Sequence, residues 1–321
     1  MKERKREKTN HDLISIVVPV YNEEDNIHAM VDEIIRHLPD EKFEILFIDD
    51  GSSDGTLQHL RKLAEQYSFV TYFSFSRNFG HQNAIKAGFD FANGDCVITI
   101  DGDLQHPVEL IPQLIALWRQ GADVVHTKRR IDHKLSFFKK ATAVLYYFLF
   151  KLFANVNIEP GMADFRLISR PVVDLCKQSM EENFFWRGFI PWLGFRQEIL
   201  DYKPNPRLRG TTKYTIRKMF KLAWSGISGF SMMPLRFAIF LGAFGLMSSG
   251  VYFLYVIFLY VTGATVPGWS SLMVMMLFLG SIQLITIGII GEYIGKIFMN
   301  TKQRPRYIVK EYGKASGNLN K

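Results

Sequence analysis

The feature that most restricts how this chain can fold is a long stretch without charged residues near its C-terminal end. No Asp, Glu, Lys, Arg or His occurs from Phe237 to Gly291. Residues 237–261 and 270–291 within it are each long enough to cross a bilayer, which takes about 20 apolar residues in a helix. The connection TGATVPGWSS is typical of a tight turn. The sequence therefore predicts a transmembrane hairpin within residues 232–296, rather than a buried helix pair of a soluble domain.

The net charge of +8 is concentrated on both sides of this hairpin. Basic residues precede it at Arg217, Lys218, Lys221 and Arg236, and follow it at Lys296, Lys302, Arg304, Arg306 and Lys310. The connecting turn carries none, so the positive-inside rule predicts a multi-pass protein of the cell membrane with both termini in the cytoplasm. This distribution indicates contact with a membrane and not with nucleic acid.

The segments outside the hairpin and the main domain are basic. Residues 1–12 lead into no signal-type apolar segment and are predicted to be a disordered tail, and residues 297–321 a cytosolic tail. Two segments near 134–154 and 213–230 are predicted to be amphipathic helices in the membrane interface, with ordinary core-facing helices as the alternative.

Cys96 and Cys176 have no metal or redox spacing, so we expect buried, reduced thiols.

Residues 13–231 alternate strand-like and helix-like patterns and are predicted to form a cytosolic α/β domain. Short β-branched runs at 14–19, 44–48, 70–75, 97–100 and 123–126 are the candidate strands. Three amphipathic helical patterns lie between them, the first capped by Asn22 and the last ended by Gly121. The alternation predicts a Rossmann-like, mostly parallel sheet with helices on both faces. Ligands of such sheets bind beyond the carboxyl ends of the strands.

Carboxylates follow three of these predicted strands. They are Glu23 after the first, Asp49 and Asp50 after the second, and Asp101 and Asp103 after the fourth. Clustered carboxylates repel each other and any anionic ligand unless a cation lies among them, and oxygen ligands favour Mg²⁺ or Mn²⁺. The alternative is a set of ordinary acidic surface turns.

The segment IDGDLQHP is the densest part of this pattern. Asp101 and Asp103 would hold the cation, Gln105 could add a neutral oxygen, and Gly102 permits an unusual backbone at the turn. A diphosphate whose leaving-group charge the metal neutralises is the natural ligand. His106 is expected only to begin the next helix, without a chemical role.

Two common phosphate-binding patterns are missing from the sequence. PVYNEED stands after the first strand, where dinucleotide enzymes carry Gly-x-Gly-x-x-Gly, and no Gly-x-x-x-x-Gly-Lys-Ser/Thr segment occurs. Hydride transfer and P-loop kinase chemistry are therefore disfavoured.

Basic residues in the second half are the candidate phosphate contacts. Arg129, Arg207 and Lys213 follow or flank predicted elements of the domain, and arginine can bind phosphate through two parallel hydrogen bonds. For the neighbouring Arg130 and Arg209, contact with anionic lipid head groups is an equal alternative.

Several motifs together resemble the family 2 glycosyltransferases of GT-A fold, and within them the polyprenyl-phosphate glycosyltransferases. The motifs are VPVYNEE, DDGSSDGT, DGDLQHP, DFRLISR, RGTTKY and GEYIGKIFMNTKQRPRYIV, in the order that this family shows. The resemblance covers nearly the whole chain outside the N-terminal tail. The two C-terminal apolar segments are similar to the bactoprenol-phosphate glucosyltransferase branch, which is also similar to dolichyl-phosphate mannose synthases.

The resemblance implies roles at matching positions. The nucleoside would be held by Pro19, Tyr21, Glu23, Ile48 and Asp50. The donor diphosphate and the Mg²⁺ or Mn²⁺ ion would be held by Asp101, Gly102, Asp103 and Gln105, with the metal on the two aspartates and the glutamine. The family often has Ala where this chain has Gly102, which loosens the turn but removes no ligand.

The resemblance also implies the groups around the reaction centre. Arg129, Arg207 and Lys213 match positions that contact donor or acceptor phosphates. Asp164 matches an acid near the reaction centre, where it would orient or stabilise groups before acting as a base. With Asp103 and Arg129, it forms the predicted catalytic set.

The activity implied is an inverting, metal-dependent transfer from a nucleotide-sugar, UDP-glucose first, to undecaprenyl or another polyprenyl phosphate. The product would serve cell-envelope glycan modification, and a homo-oligomer such as a tetramer is expected. UDP-N-acetylglucosamine or another hexose donor is the main alternative. A processive polysaccharide synthase is less favoured because its Gln-x-x-Arg-Trp motif is missing. A membrane scaffold or transporter is less favoured because no ionisable residue lies between Arg236 and Glu292 to mark a transport path.

Overall fold

The computed structural model describes residues 12–130, 161–179, 186–203, 233–263, 268–302 and 304–314. The chain divides into two compact units. The described part of the first unit is residues 12–130, 161–179, 186–203 and 305–314, which we call the sheet unit. The described part of the second is residues 233–263, 268–302 and 304, which we call the hairpin unit. Residues 1–11 of the predicted tail 1–12, and both predicted interfacial helices, lie outside the described residues.

An eight-stranded, mostly parallel sheet forms the centre of the sheet unit. Its strands are β1 Leu13–Val20, β2 Lys42–Asp49, β3 Val70–Phe75, β4 Cys96–Thr99, β5 Val124–Arg129, β6 Met162–Ser169, β7 Gln197–Tyr202 and β8 Val309–Lys314. Their spatial order is β7-β5-β6-β4-β1-β2-β3-β8. Strands β4, β1, β2 and β3 run parallel, β6 runs antiparallel to both of its neighbours, and β8 closes one edge antiparallel to β3.

Helices cover both faces of this sheet, as the sequence predicts. They are α1 Ile27–His37, α2 Thr56–Gln66, α3 His81–Phe91, α4 Ile111–Arg119, α5 Arg170–Gln178 and α6 Trp186–Trp192, with a 3-10 turn at Val108–Leu110. One hydrophobic cluster contains the buried sides of α1, α2 and α4, and the other contains those of α3, α5 and α6. Alternate side chains of β1 enter opposite clusters, because successive strand residues point to opposite faces. Both cysteines are free and buried, as expected.

Gly88 allows α3 to lie close against β1. A Cβ atom added at this position would overlap the side chain of Val17 in the sheet. A residue with any side chain would therefore push the helix away from the strand. The position of α3 matters for function because its first residue is His81, which belongs to the site described below.

Two local expectations are wrong. Asn22 does not cap α1: the N-cap residue is Asn26, and Asn22 lies in the left-handed region with a φ of 55°. Its side-chain oxygen instead accepts a hydrogen bond from the Ser53 amide (2.8 Å), which joins the loops after β1 and β2. In addition, the segment predicted to be only a basic tail contains β8. The preceding Tyr307 stacks on Phe75 with 5.0 Å between ring centroids.

The hairpin unit consists of two long helices, α7 Met233–Val261 and α8 Trp269–Thr301. Segments Phe237–Val261 and Phe278–Thr301 are long and apolar enough to cross a membrane, with mean hydropathies of 1.8 and 1.4. Most of their described side chains are exposed instead of buried in a core. The two helices agree with the two predicted apolar segments, although the second apolar segment extends further toward the C-terminus than expected.

Candidate active site

The carboxyl ends of β4, β1 and β2 lie side by side, because these strands are consecutive in the sheet. Val20 at the end of β1 pairs with Asp49 at the end of β2, and Val17 of β1 pairs with Thr99 at the end of β4. The three acidic loops predicted from the sequence therefore leave the sheet at one edge. β6 lies next to β4 and adds Asp164 to the site.

The loop after β4 is held by a chain of side-chain contacts. Nε2 of His106 lies 3.0 Å from Oδ2 of Asp101, and Nδ1 of the same ring lies 2.7 Å from the Tyr202 hydroxyl. A carboxylate only accepts hydrogen bonds, so Nε2 carries the proton shared with Asp101. Arg129 reaches the same cluster by donating from Nε to the Tyr202 hydroxyl (3.2 Å) and from Nη2 to Gln105 Oε1 (3.3 Å).

The Asp101 carboxyl is kept ionised by two imidazoles. Burial raises the pKa of Asp101, but the His106 hydrogen bond and the nearby His81 ring lower it by more, and the net pKa is below the ordinary value. His81 Nε2 lies 3.4 Å from Asp101 Oδ1. Asp101 is therefore an anion near neutral pH, which a ligand of a divalent cation must be.

Close packing, and not an unusual backbone angle, explains why position 102 is a glycine. The expectation of an unusual backbone at Gly102 is therefore wrong. The residue with positive φ in this loop is Leu104, at 56°. A Cβ atom at Gly102 would lie 2.7 Å from Cγ1 of Val20. The glycine thus lets the loop after β4 pass closely over the end of β1.

Negative charge is crowded around Glu23. Its pKa lies above the ordinary value, first because the carboxyl is half-buried, while the hydrogen bond from Asn26 (2.6 Å) opposes the shift. The carboxylates of Asp103, Asp54 and Asp101 raise this pKa further. The structure thus brings Glu23 into electrostatic contact with both aspartates of the DGD segment.

The side-chain oxygens at this edge of the sheet are of the chemical type that binds a divalent cation. Within the described ranges, no three or more His, Cys, Asp or Glu side chains are already arranged as a metal site. Mg²⁺, however, is commonly held by one or two carboxylates, with waters and substrate phosphates completing its shell. Asp101 and Asp103 meet that requirement, and a cation among them would relieve the repulsion felt by Glu23. Gln105 Oε1 would have to leave Arg129 to bind the ion, so its role as a ligand stays a prediction.

Asp49, the last residue of β2, and Asp50, which follows it, hold loops together in the structure. Asp49 accepts hydrogen bonds from the Ser52 amide (2.9 Å) and the Ser74 hydroxyl (2.6 Å). Asp50 accepts from the amides of Phe79 (2.6 Å) and Gly80 (2.9 Å), immediately before α3. Burial raises the pKa of Asp50, and these amide hydrogen bonds lower it in part.

The remaining residues predicted to hold the nucleoside differ in exposure. Pro19 and Ile48 are buried, so they can offer a ligand little more than backbone atoms. Tyr21 is 46% exposed and presents its ring at the sheet edge. The nucleoside contacts stay predictions. Arg207 and Lys213 lie outside the described residues.

Asp164 is buried between two arginines. Its Oδ1 accepts from Nη2 of Arg166 (2.6 Å) and Nε of Arg187 (3.1 Å), and its Oδ2 accepts from Nη2 of Arg187 (2.8 Å). His81 Nε2 lies 3.7 Å from the same Oδ2, and so links Asp164 to Asp101. Burial raises the pKa of Asp164, but Arg187 and Arg166 hold it well below the ordinary range. A carboxylate that is this hard to protonate is a poor general base.

Sequence reasoning missed four side chains of this cluster: His81, His106, Arg187 and Tyr202. His106 was within the quoted motif, and its pairing with Asp101 could have been considered from their separation of five residues across a turn. The other three come from distant segments without a recognised pattern. Only the folded chain shows that they meet.

Known proteins resemble the chain over nearly its whole length. Residues 15–175 match the family model of glycosyl transferase family 2. The chain is 43% identical over 312 residues to the uncharacterized glycosyltransferase YkcC of Bacillus subtilis (strain 168), covering 95% of this chain and 96% of that protein. It is 41% identical to the prophage bactoprenol glucosyl transferase homolog of Escherichia coli (strain K12), covering 94% and 99%.

A phage protein and a solved structure extend these comparisons. The bactoprenol glucosyl transferase of Shigella phage SfV is 42% identical, covering 92% of this chain and 98% of that protein. The crystal structure of S. aureus TarS 1–349 in complex with UDP-GlcNAc is 18% identical with a TM-score of 0.47, covering 67% of this chain and 65% of that one. The matches to the curated proteins are too long to be confined to the sheet unit.

Proposed function

Because this chain belongs to glycosyl transferase family 2, we propose that it transfers a hexose from a nucleotide-sugar to a polyprenyl phosphate at the cytoplasmic face of a membrane. It is a glycosyltransferase with a GT-A-like sheet. The observation that carries the choice of acceptor is the similarity over more than 90% of both chains to proteins named bactoprenol glucosyl transferase. That similarity includes the hairpin unit as well as the sheet unit.

UDP-glucose is the proposed donor, with UDP-N-acetylglucosamine or another UDP-hexose as the alternative. The word glucosyl in the names of the relatives supports glucose for this chain. An enzyme distinguishes hexoses that differ in a single substituent by only a few contacts in its sugar pocket. A panel of donors is therefore part of the test below.

The site residues have distinct proposed roles. Tyr21, the backbone at Pro19 and Ile48, and the acids Glu23 and Asp50 would surround the nucleoside. Asp101 and Asp103, with Gln105 if it leaves Arg129, would hold Mg²⁺ or Mn²⁺. When bound, such an ion neutralises charge on the departing diphosphate. Arg129, Arg207 and Lys213 would contact phosphate groups.

The reaction is a displacement at the anomeric carbon. A phosphate oxygen of the lipid forms the new bond to that carbon, while the bond to the donor diphosphate breaks and UDP departs with the electron pair. Attack from the opposite side inverts the configuration. A phosphate monoester has its second pKa near about 6 and is largely ionised at neutral pH. The acceptor therefore needs no strong base, which agrees with the low basicity of Asp164.

The hairpin unit would anchor the enzyme where its acceptor lies. Helices α7 and α8 are proposed to cross the membrane, with both chain ends and the sheet unit in the cytoplasm. The basic residues before and after the hairpin support that orientation. A polyprenyl phosphate has its head group at the bilayer surface. An enzyme anchored in the membrane would therefore reach this head group without removing the lipid from the bilayer.

The proposal is tested with the full chain in membranes or detergent, supplied with undecaprenyl phosphate and one radiolabelled nucleotide-sugar at a time. We expect a butanol-extractable labelled lipid that requires Mg²⁺ or Mn²⁺ and is formed fastest from UDP-glucose. Chelation of divalent ions should stop its formation, and their return should restore it.

Asp103→Asn, which removes one of the proposed metal-binding carboxylates, should form little labelled lipid. The matched control is Asp174→Asn, which makes the same chemical change at a half-exposed position in α5. This control should transfer at the wild-type rate. Absence of labelled lipid with every donor in the panel, from protein that still binds UDP, would contradict the proposed acceptor.

A further inference from the structure

Four side chains at the site form one continuous series of hydrogen bonds. Arg129 Nε donates to the hydroxyl oxygen of Tyr202 (3.2 Å), and that hydroxyl lies 2.7 Å from Nδ1 of His106. The opposite nitrogen of the ring, Nε2, lies 3.0 Å from Oδ2 of Asp101. The series therefore connects the last residues of β5 and β7 to a proposed metal ligand.

The donors and acceptors of this series can be assigned from its two ends. Asp101 is ionised and only accepts hydrogen bonds, so His106 Nε2 carries a proton. A guanidinium only donates, so the Tyr202 oxygen is the acceptor at the other end. Every group has a partner when the His106 ring is neutral and its Nδ1 accepts the Tyr202 hydroxyl proton. A ring protonated on both nitrogens would leave that hydroxyl proton without an acceptor among the described residues.

Strand register explains why Arg129 and Tyr202 meet. The two residues are direct partners at the ends of the parallel strands β5 and β7. The backbone is joined at the same point by a hydrogen bond from the Arg130 amide to the Tyr202 carbonyl (2.8 Å). Side chains supported by paired strands are held more precisely than side chains on loops. The Tyr202 hydroxyl therefore approaches the ring from a regular part of the sheet.

The His106 ring is held in place by different contacts from those that place its proton. The ring is 2% exposed and packs against Phe165, with 5.3 Å between centroids, and against Tyr202 at 5.7 Å. These ring contacts do not distinguish one ring nitrogen from the other. The hydrogen bonds do, because Asp101 attracts the proton to Nε2 and the Tyr202 hydroxyl keeps it off Nδ1 by donating there.

We propose that Tyr202 is a positioning residue for glycosyl transfer: its hydroxyl holds His106 in the tautomer that donates to Asp101. The inference rests on the proposed function, in which Asp101 binds a divalent cation together with the donor diphosphate. A metal-binding carboxylate is oriented by the group that donates to it, and changes at such outer positions weaken metal binding by about 10- to 100-fold. With Phe at position 202, Nδ1 loses its donor, so the ring can carry its proton on either nitrogen.

The test uses the full chain in detergent and begins with Tyr202→Phe, which removes the hydroxyl and keeps the aromatic ring. The Kd for Mn²⁺, measured by electron paramagnetic resonance in the presence of UDP, should rise about 10-fold. Tyr72→Phe is the matched control, because Tyr72 is also buried (5% exposed) and donates from its hydroxyl to a side chain, that of Glu311 (2.7 Å). The control should bind Mn²⁺ as the wild type does.

A spectroscopic measurement on the metal-free protein reports the tautomer directly. The chain has eight histidines, so ¹⁵N labelling of histidine gives few signals, and the His106 signals are those that His106→Gln removes. In the wild type, Nε2 should have the chemical shift of a protonated nitrogen and Nδ1 that of an unprotonated one. In Tyr202→Phe, the two shifts should move toward each other, while Tyr72→Phe should keep the wild-type pattern.

A double-mutant cycle shows whether Tyr202 acts through His106. Once His106→Ala has removed the ring, Tyr202→Phe should raise the Kd for Mn²⁺ no further. Equal losses from Tyr202→Phe in both backgrounds would overturn the inference. The inference would also be overturned by a Tyr202→Phe protein that melts at a lower temperature but keeps the wild-type Kd and ¹⁵N shifts, because a purely structural hydroxyl gives that result.

Failure of the proposed function gives a different result. A wild-type protein that binds UDP but no Mn²⁺ would overturn the proposed metal site. The ¹⁵N shifts of the metal-free protein would still decide whether Tyr202 sets the tautomer of His106. Separate wild-type shifts that converge in Tyr202→Phe support the inference, and shifts that the substitution leaves unchanged overturn it.

Discussion

Asp101 and His106 form a paired carboxylate and imidazole at the mouth of the site, with 3.0 Å between Oδ2 and Nε2. The pair lies within one loop, and the ring is fixed from its other side by Tyr202 at 2.7 Å. Groups that orient a metal-binding carboxylate in this way tune its position and charge. His106 is therefore placed to influence the site indirectly, by orienting the Asp101 carboxylate.

We predict that His106→Ala lowers transfer by about 10- to 100-fold, mainly by raising the concentration of Mn²⁺ needed for half-maximal activity. His106→Gln should lose less, because its amide can still donate to Asp101. The measurement is initial rate against Mn²⁺ concentration. Equal Mn²⁺ requirements in the wild type and both variants would show that the pairing does not act through a metal ligand.

Asp103→Asn is predicted to reduce transfer by on the order of 100-fold or more, because the amide lacks the charge that holds the cation. Membrane insertion and thermal stability should stay close to those of the wild type, since the side chain is only partly buried and makes one backbone contact, from the Gln105 amide (3.1 Å). Turnover is measured with added Mg²⁺ and Mn²⁺. Wild-type turnover of this variant at saturating metal would contradict the metal assignment.

Stability should depend on His126 at mildly acidic pH. The ring is buried in β5, and burial, with the nearby Arg166, lowers its pKa to about 3, against an opposing hydrogen bond with Gln197. Between pH 6.5 and 3 the unfolded chain therefore binds a proton that the folded chain does not. The free energy of unfolding should fall as the pH decreases through this window, by about 2 kcal/mol from this residue at pH 5.

His126→Gln removes the titrating group and keeps a polar side chain opposite Gln197. The difference in unfolding free energy between pH 7 and pH 5 should be smaller in this variant than in the wild type. His37→Gln, at the partly exposed end of α1, is the control and should keep the wild-type difference. Equal pH dependence in His126→Gln and the wild type would show that the buried ring is not its cause.

Gly88→Ala is predicted to destabilise the sheet unit by about 1–3 kcal/mol, because the added methyl group overlaps Val17 and separates α3 from β1. Activity should also fall, since His81 begins the displaced helix. Gly250→Ala is the control in α7, where an added Cβ atom meets nothing within 4 Å. Thermal unfolding of both variants checks the prediction, and combination with Val17→Ala should restore part of the loss at Gly88.

Much of the sheet unit follows from local pattern. The strand at Val70–Phe75 agrees with the expected range residue for residue, and the other four predicted strands differ only at their ends. Helices α1, α2 and α4 were predicted from their apolar spacing, and Gly121, with a φ of 101°, follows the end of α4 as expected. β8 was not predicted, because its alternating charged residues suit a tail equally well until β3 supplies a partner.

The sequence by itself determined the alternation of strands and helices, the two long apolar helices, and the acidic segments that follow β1, β2 and β4. Each of these depends on residues that are close in the chain, where periodicity and charge act directly. Tertiary structure alone decided which acids hold loops together, as Asp50 does for the start of α3. It also decided that Asp164 meets Arg187, a contact between residues of two different elements. Such pairings depend on strand order and on burial, which no local pattern encodes.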